Sequence, residues 1–115
     1  MIRRENEMKV EHSENRRGGK GHVYTTHILQ GDEFNNNARL FAKTKLPKGS
    51  SIGAHYHEGD CEAYYIIKGT AKFSDNGEEV ILNSGDVGYI RSGEFHSIEN
   101  IGEDDLEFMA LIIFS

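Results

Sequence analysis

From residue 49 onward glycine recurs at a near-regular beat, at 49, 59, 69, 77, 85, 93 and 102, and short runs of Val, Ile, Tyr, Phe and Thr lie between. Runs of this kind, bounded by turn residues every 8 to 12 or so positions, form the strands of a sandwich or barrel and leave no room for long helices. The pattern predicts strands at 22–30, 38–46, 51–57, 62–68, 70–75, 78–83, 87–90, 95–100 and 106–114. Asn76-Gly77, between Phe73 and Val80, predicts a tight hairpin, because both central positions of a type I′ turn need positive φ. Pro47 is the only proline, and it falls in a connection where a missing N–H breaks no ladder.

A chain of 115 residues has the size of one domain and can hide about two thirds of its unfolded surface. Residues 1–21 stand apart. They are polar, carry charge of both signs and end in Arg16-Arg17-Gly18-Gly19-Lys20-Gly21, so they are expected to form a tail ahead of a barrel at 22–115. Arg16, Arg17 and Lys20 read as a solvated charge cluster, with anion binding as the sharper alternative. With 19 acidic against 13 basic residues the formal charge is -6, which disfavours nucleic acid and anionic membrane surfaces as partners. Cys61 stands alone, so no intrachain disulfide can form. With no signal-peptide pattern at Met1–Glu7 and no apolar run approaching 18 or so residues, a cytoplasmic location is expected.

Chemistry concentrates in four residues. His55 and His57 differ by two, so on one strand both rings point to the same side and can share an ion. Glu62 follows after Glu58-Gly59-Asp60-Cys61, a stretch suited to turning the chain back antiparallel beside the first strand. It sits on an otherwise apolar strand, and a carboxylate facing a core needs a partner, which a cation supplies. His96 arrives from a later hairpin. Together these residues are a nitrogen and oxygen ligand set for a divalent transition metal. Glu58, Asp60, His12, His22 and His27 read as ordinary surface polar groups. Tyr64, Ile66, Phe73, Tyr89, Ile90 and Phe95 are candidates for the pocket wall, and Tyr24 for a proton donor.

The spacing Gly49-x5-His55-x-His57-x4-Glu62-x6-Gly69 resembles the first signature motif of the cupin superfamily in full. Gly85-x5-Arg91-x-Gly93-x2-His96-x3-Asn100 is similar to the second, with Arg91 where cupins usually carry proline. The motifs lie 15 residues apart, a compact separation that resembles small bacterial cupins. The resemblance implies an all-β fold, an antiparallel double-stranded β-helix of six or seven strands with jelly-roll topology. It also implies a metal inside the barrel, held by His55, His57, His96 and Glu62. The Arg91 departure touches no proposed ligand; an arginine there can grip a carboxylate at the rim or simply sit exposed in a loop. Asn100 reads as a loop-stabilising side chain.

Four protein ligands on a six-coordinate ion leave open positions, the mark of a catalytic rather than a structural metal. Iron, manganese, nickel, zinc and copper all accept this donor set. The leading expectation is therefore a metal-dependent enzyme, resembling cupin dioxygenases or isomerases, that acts on a small molecule. The alternatives are a module that binds a sugar or organic acid without turnover, and an ion that only ties strands together. The final strand has Leu106, Phe108, Ala110, Ile112 and Phe114 on one face and Met109, Leu111 and Ile113 on the other. Both faces want cover, and a homodimer is expected to supply part of it, with a second packed sheet inside the monomer as the alternative.

Overall fold

The computed structural model describes all residues from Met1 to Ser115. In chain order the strands are β1 (Val10–Glu14), β2 (His22–Leu29), β3 (Ala38–Leu46), β4 (Ser51–Tyr56), β5 (Asp60–Lys68), β6 (Thr70–Asp75), β7 (Glu78–Asn83), β8 (Val87–Ile90), β9 (Phe95–Asn100) and β10 (Leu106–Phe114). A six-stranded sheet runs β1-β2-β3-β10-β5-β8 and faces a four-stranded sheet ordered β4-β9-β6-β7. Sequence neighbours such as β4 and β5 lie in different sheets, as in a double-stranded β-helix. All nine expected strands are present, with bounds within two residues of those read from the sequence. Asn76 (φ 54°) and Gly77 (φ 95°) form the turn between β6 and β7, both in the left-handed region as their sequence demands.

Alternation places the core. Along β10, Leu106, Phe108, Ala110 and Ile112 are buried, and along β9 His96, Ile98 and Asn100 are. The inward residues of both sheets merge into one cluster of 13 buried apolar side chains, among them Leu46, Ile66, Ile90 and Phe108. Polar residues of the same parity therefore face the barrel interior too, which is how Glu62 and His96 come to be enclosed.

Three features differ from the sequence-based expectation. Residues 1–21 hold strand β1 and two short 3-10 turns, Glu5–Glu7 and Arg16–Gly18. Their side chains are mostly exposed, as the composition implied. What orders them is a ladder from Val10↔Thr26 to Glu14↔His22 along the edge of β2, where backbone bonds need no apolar side chains. Arg3 adds a clamp, reaching the Ile28 carbonyl at 2.7 Å and both carboxylate oxygens of Glu33 at 2.6 and 3.0 Å.

The second difference is the stretch 58–61, which does not fold β5 back onto β4. β4 pairs with β9, while β5 pairs with β8 and β10, so the chain crosses between sheets here. The third is a register shift on β4: Ile52 opposes Ile98, yet His55 opposes His96. One extra residue, at Gly53-Ala54, makes a β-bulge that switches the side-chain parity. Ile52 and His55 thus both face inward, although they lie an odd number of residues apart.

β10 lies between β3 and β5 in the middle of the larger sheet, its second face formed by Met109, Leu111 and Ile113. No helix is long and apolar enough to cross a membrane.

Candidate metal centre

The four residues singled out by spacing come together between the two sheets. β4 and the residue just past its end supply His55 and His57, β5 supplies Glu62 from the opposite sheet, and β9 supplies His96. One ligand atom from each lies within 4.8 Å of all the others. Glu62 Oε1 is 3.0 Å from His57 Nε2, 3.0 Å from His96 Nε2 and 4.0 Å from His55 Nε2. His55 Nε2 and His96 Nε2 approach to 3.1 Å.

These distances fit an ion. Two ligand atoms at right angles on a centre about 2.1 Å away lie roughly 3.0 Å apart, the spacing of the short contacts here. His57 Nε2 is buried without a hydrogen bond of proper direction despite the nearby carboxylate, so its lone pair lacks a partner that a cation would provide.

The rings are aimed by their other nitrogens. His57 Nδ1 meets Asp60 Oδ1 at 2.7 Å, and His55 Nδ1 meets the Gly53 carbonyl at 2.8 Å. Both acceptors call for a proton on Nδ1, which leaves Nε2 as the donor atom for a metal. Asp60 is held in turn by Arg39 Nε at 2.8 Å. It was expected at the surface but is 5% exposed, because the strand crossing tucks it under His57. His96 has no such partner for Nδ1 and is fixed by packing: Tyr64 stacks on its ring at 4.8 Å and 15°, and Phe73 meets it edge-on at 5.6 Å.

Charge in the cluster is strongly coupled. Burial pushes the Glu62 carboxyl up, but the imidazoles of His57 and His96 together outweigh it and hold the group at about 2. Glu62 beside His57 raises that imidazole above its ordinary value, more than burial lowers it. His55 is lowered, chiefly by burial. Asp60 is pushed up by burial yet ends below the usual carboxylate range, because Arg39 and His57 bind it. A carboxylate kept ionised beside imidazoles is ready to receive a cation.

Two small adjoining cavities, of about 120 and 140 Å³, share Arg16, Leu40, Ile52, Glu62 and Tyr64 in their walls. Of the aromatic and aliphatic residues proposed as pocket wall, only Tyr64 borders this space. Ile66, Phe73 and Ile90 are core, Tyr89 is 47% exposed on the outer face, and Phe95 packs against Tyr56 at 5.0 Å. Phe95 is out of phase with His96 by one residue, which turns it away from the barrel. Tyr24 also faces outward, stacked on His12 and covered by Lys45, while its neighbours Val23 and Thr25 point in. His12 and His22 are exposed and bond to each other at 2.8 Å, whereas His27 is half-buried and pairs with Glu11 at 2.8 Å. Arg91 lies over the exposed Tyr89 ring at 5.7 Å, and its backbone N–H donates to Glu94 Oε1, a bond the usual proline would forgo. Asn100 ties loops together through the carbonyls of Leu46 and Asp104 and the Gly102 amide. Reading the sequence missed Asp60 and Arg39 as supports of the site; Arg17 is exposed, as a solvated charge cluster implies, and Arg16 half-buried, and both also border the cavity.

Comparison with known proteins agrees with this fold. A family model described as "Cupin domain" matches residues 42–114. The "Oxalate-binding protein" of Thermotoga maritima is 52% identical over 113 residues, 98% of this chain and 93% of that protein. A crystal structure of a predicted oxalate decarboxylase from the same organism superposes with a TM-score of 0.95 at 51% identity, covering 100% of both chains. Quercetin 2,3-dioxygenase of Bacillus subtilis is 37% identical over 58 residues, 50% of this chain but only 17% of the dioxygenase. Fold, family model and a relative matched over almost its whole length concur: this chain belongs to the cupin family.

Proposed function

We propose that the protein is a small metal-binding cupin that takes a small organic acid into the barrel, at a divalent transition metal held by His55, His57, Glu62 and His96. One observation carries the reading: three imidazoles and an ionised carboxylate converge at 3.0 to 4.0 Å between two facing β-sheets. Iron, manganese, nickel, zinc and copper remain chemically equivalent candidates for such a donor set.

The two adjoining cavities, of about 120 and 140 Å³, leave room beside the candidate donors for a small organic acid. The name of the Thermotoga relative supports the same class of ligand. When bound, the cation supplies Lewis-acid or redox chemistry to an oxygen ligand. The chain's own residues then have separate tasks. Asp60 orients His57, the Gly53 carbonyl orients His55, and Tyr64 keeps its phenol proton because burial and the Glu62 charge push its pKa up. Leu40, Ile52 and Ile112 give the space apolar sides that limit water.

A second reading, turnover by a metal-dependent enzyme, draws support from the open coordination that four ligands leave and from the similar Thermotoga structure, described as a predicted oxalate decarboxylase. Dioxygenase-like or isomerase-like chemistry belongs to this reading. Both readings are tested together on untagged protein. Elemental analysis should find about one transition metal per chain, and calorimetry with oxalate should show binding that vanishes in His57→Ala. Oxalate consumed over hours establishes the enzyme, and oxalate bound but recovered intact establishes the binder. Protein that takes up neither metal nor oxalate overturns both.

The same proposal includes a homodimer and a reducing, cytoplasmic setting suited to the free Cys61. The outer face of the larger sheet presents Tyr65, Ile67, Val87, Tyr89 and Ile113 at 40 to 57% exposure, without an acid among them. A second copy is the occupant that suits it, because an isologous contact must be self-complementary and a patch of apolar and aromatic side chains meets that need.

A further inference from the structure

The 3-10 turn Arg16–Gly18 is built against the strand that carries His55. A Cβ on Gly53 would run into the Arg17 carbonyl, and one on Gly19 into the Ser51 carbonyl, so the two backbones touch only because both positions are glycine. Ser51 N–H donates to the Lys20 carbonyl at 2.8 Å, Lys20 N–H to Ser51 Oγ at 2.9 Å, and Asn15 N–H to the Gly21 carbonyl at 2.9 Å. Within this tight connection Arg17 takes φ 55° and ψ 31°, a left-handed conformation that disfavours any side chain with a Cβ.

The charge it carries has no structural partner. No carboxylate lies within ion-pair distance of Arg16 or Arg17, although every other arginine but Arg4 and Arg91 is paired. Arg16 is fixed by neutral groups, Ser13 Oγ at 3.0 Å and Thr25 Oγ1 at 3.3 Å, and Arg17 by none. Both border the same cavity as His55, His57 and Glu62. Both also lie close enough to Tyr64 that their charges work against the upward push of burial and Glu62 on its phenol.

A charge balance of the cavity follows. Arg16, Arg17 and Arg39 face one acid, Glu62, and Arg39 is neutralised by Asp60; the further acid of the neighbouring cavity, Glu11, is paired with Lys9 at 3.6 Å. A cation on the histidines adds further positive charge. A protein that is acidic overall thus gathers positive charge at one small opening, which focuses anions there.

We propose that Arg17, with Arg16 beside it, is the specificity-determining anion grip of the metal site, and that the ligand is a small dicarboxylate whose oxygens left free by the metal are taken by these guanidinium groups. The inference rests on the metal-and-acid reading above. A guanidinium matches a carboxylate through two parallel N–H donors, so a dianion gains at both ends where a monocarboxylate gains at one.

The test uses the full chain loaded with manganese, titrated calorimetrically with oxalate, malonate and acetate. Arg17→Gly suits the left-handed backbone, so it should fold with an unchanged or higher melting temperature while lacking the guanidinium. Its affinity for oxalate should fall about 10- to 100-fold, with acetate and manganese affinities within about 3-fold of the parent. Arg17→Lys should recover part of the loss, because the charge returns without the fork. Oxalate binding unchanged in Arg17→Gly overturns the arginine assignment alone. A parent protein that loads manganese and binds none of the three acids overturns the underlying reading, and this inference with it.

Discussion

Asp60 governs the candidate site through His57 without being one of its four converging donors. Its carboxylate receives His57 Nδ1 at 2.7 Å and Arg39 Nε at 2.8 Å, so it sets which nitrogen of His57 is left for a metal. Asp60→Asn should keep the barrel folded and weaken metal affinity about 10- to 100-fold, the usual cost of losing an orienting partner, as measured by competition with a chelator. pH should act through the same ring. A proton and a cation compete for His57 Nε2, and Glu62 raises the His57 pKa, so the protonated form persists to higher pH than in a free imidazole. Metal affinity should therefore be greatest in mildly alkaline solution and fall as pH drops, beginning above the ordinary imidazole value of about 6.5. Glu62, held at about 2, stays ionised throughout that range and adds no pH dependence of its own. Calorimetry in buffers of different ionisation heat should count protons released on loading; a flat affinity from pH 8 to 5 would contradict histidine ligation. The candidate donors were legible at this scale from the sequence, since an i, i+2 pair and a carboxylate on an apolar strand are local signals. The supports were not: Arg39 lies 21 residues from Asp60, and nothing local distinguishes Asp60 from a surface acid.

At the scale of elements, the bulge in β4 and the turn Arg16–Gly18 are one device. The extra residue at Gly53-Ala54 turns His55 inward, and the missing Cβ of Gly53 admits the Arg17 backbone. Gly53→Ala should push the turn off β4 and disturb His55 together. We expect a loss of about 2 kcal/mol or more in urea unfolding, in the range of overpacked positions, and faster amide exchange across residues 15–21 than across β6 or β9. Strand existence was readable with bounds good to two residues, because alternation and turn residues act within a few positions. The bulge was not, since its only trace is a change of parity that needs the partner strand to reveal it. β1 was missed for a related reason: its exposed, polar side chains report nothing about the free edge of β2 that its backbone completes.

For the whole molecule, the open question of assembly turns on the outer face of the six-stranded sheet. Tyr65 sits at its centre, opposite Met109 on one side and Val87 on the other. If a second copy covers this face, light scattering should return twice the 13.0 kDa chain mass, and Tyr65→Lys should return the single mass while the protein stays folded. A parent that remains monomeric at micromolar concentration removes the dimer. Strand positions, the hairpin at Asn76-Gly77 and the four candidate donors were legible in the sequence, because each is written in local spacing, and the barrel class followed from the resemblance of the two motifs to the cupin superfamily. Only the tertiary structure decided that β4 and β5 part into different sheets, that Asp60 is buried beneath His57, and that Arg16 and the exposed Arg17 also border the cavity. These depend on contacts between segments tens of residues apart, whose meeting is set by how two sheets close over one core and not by any local preference of the chain.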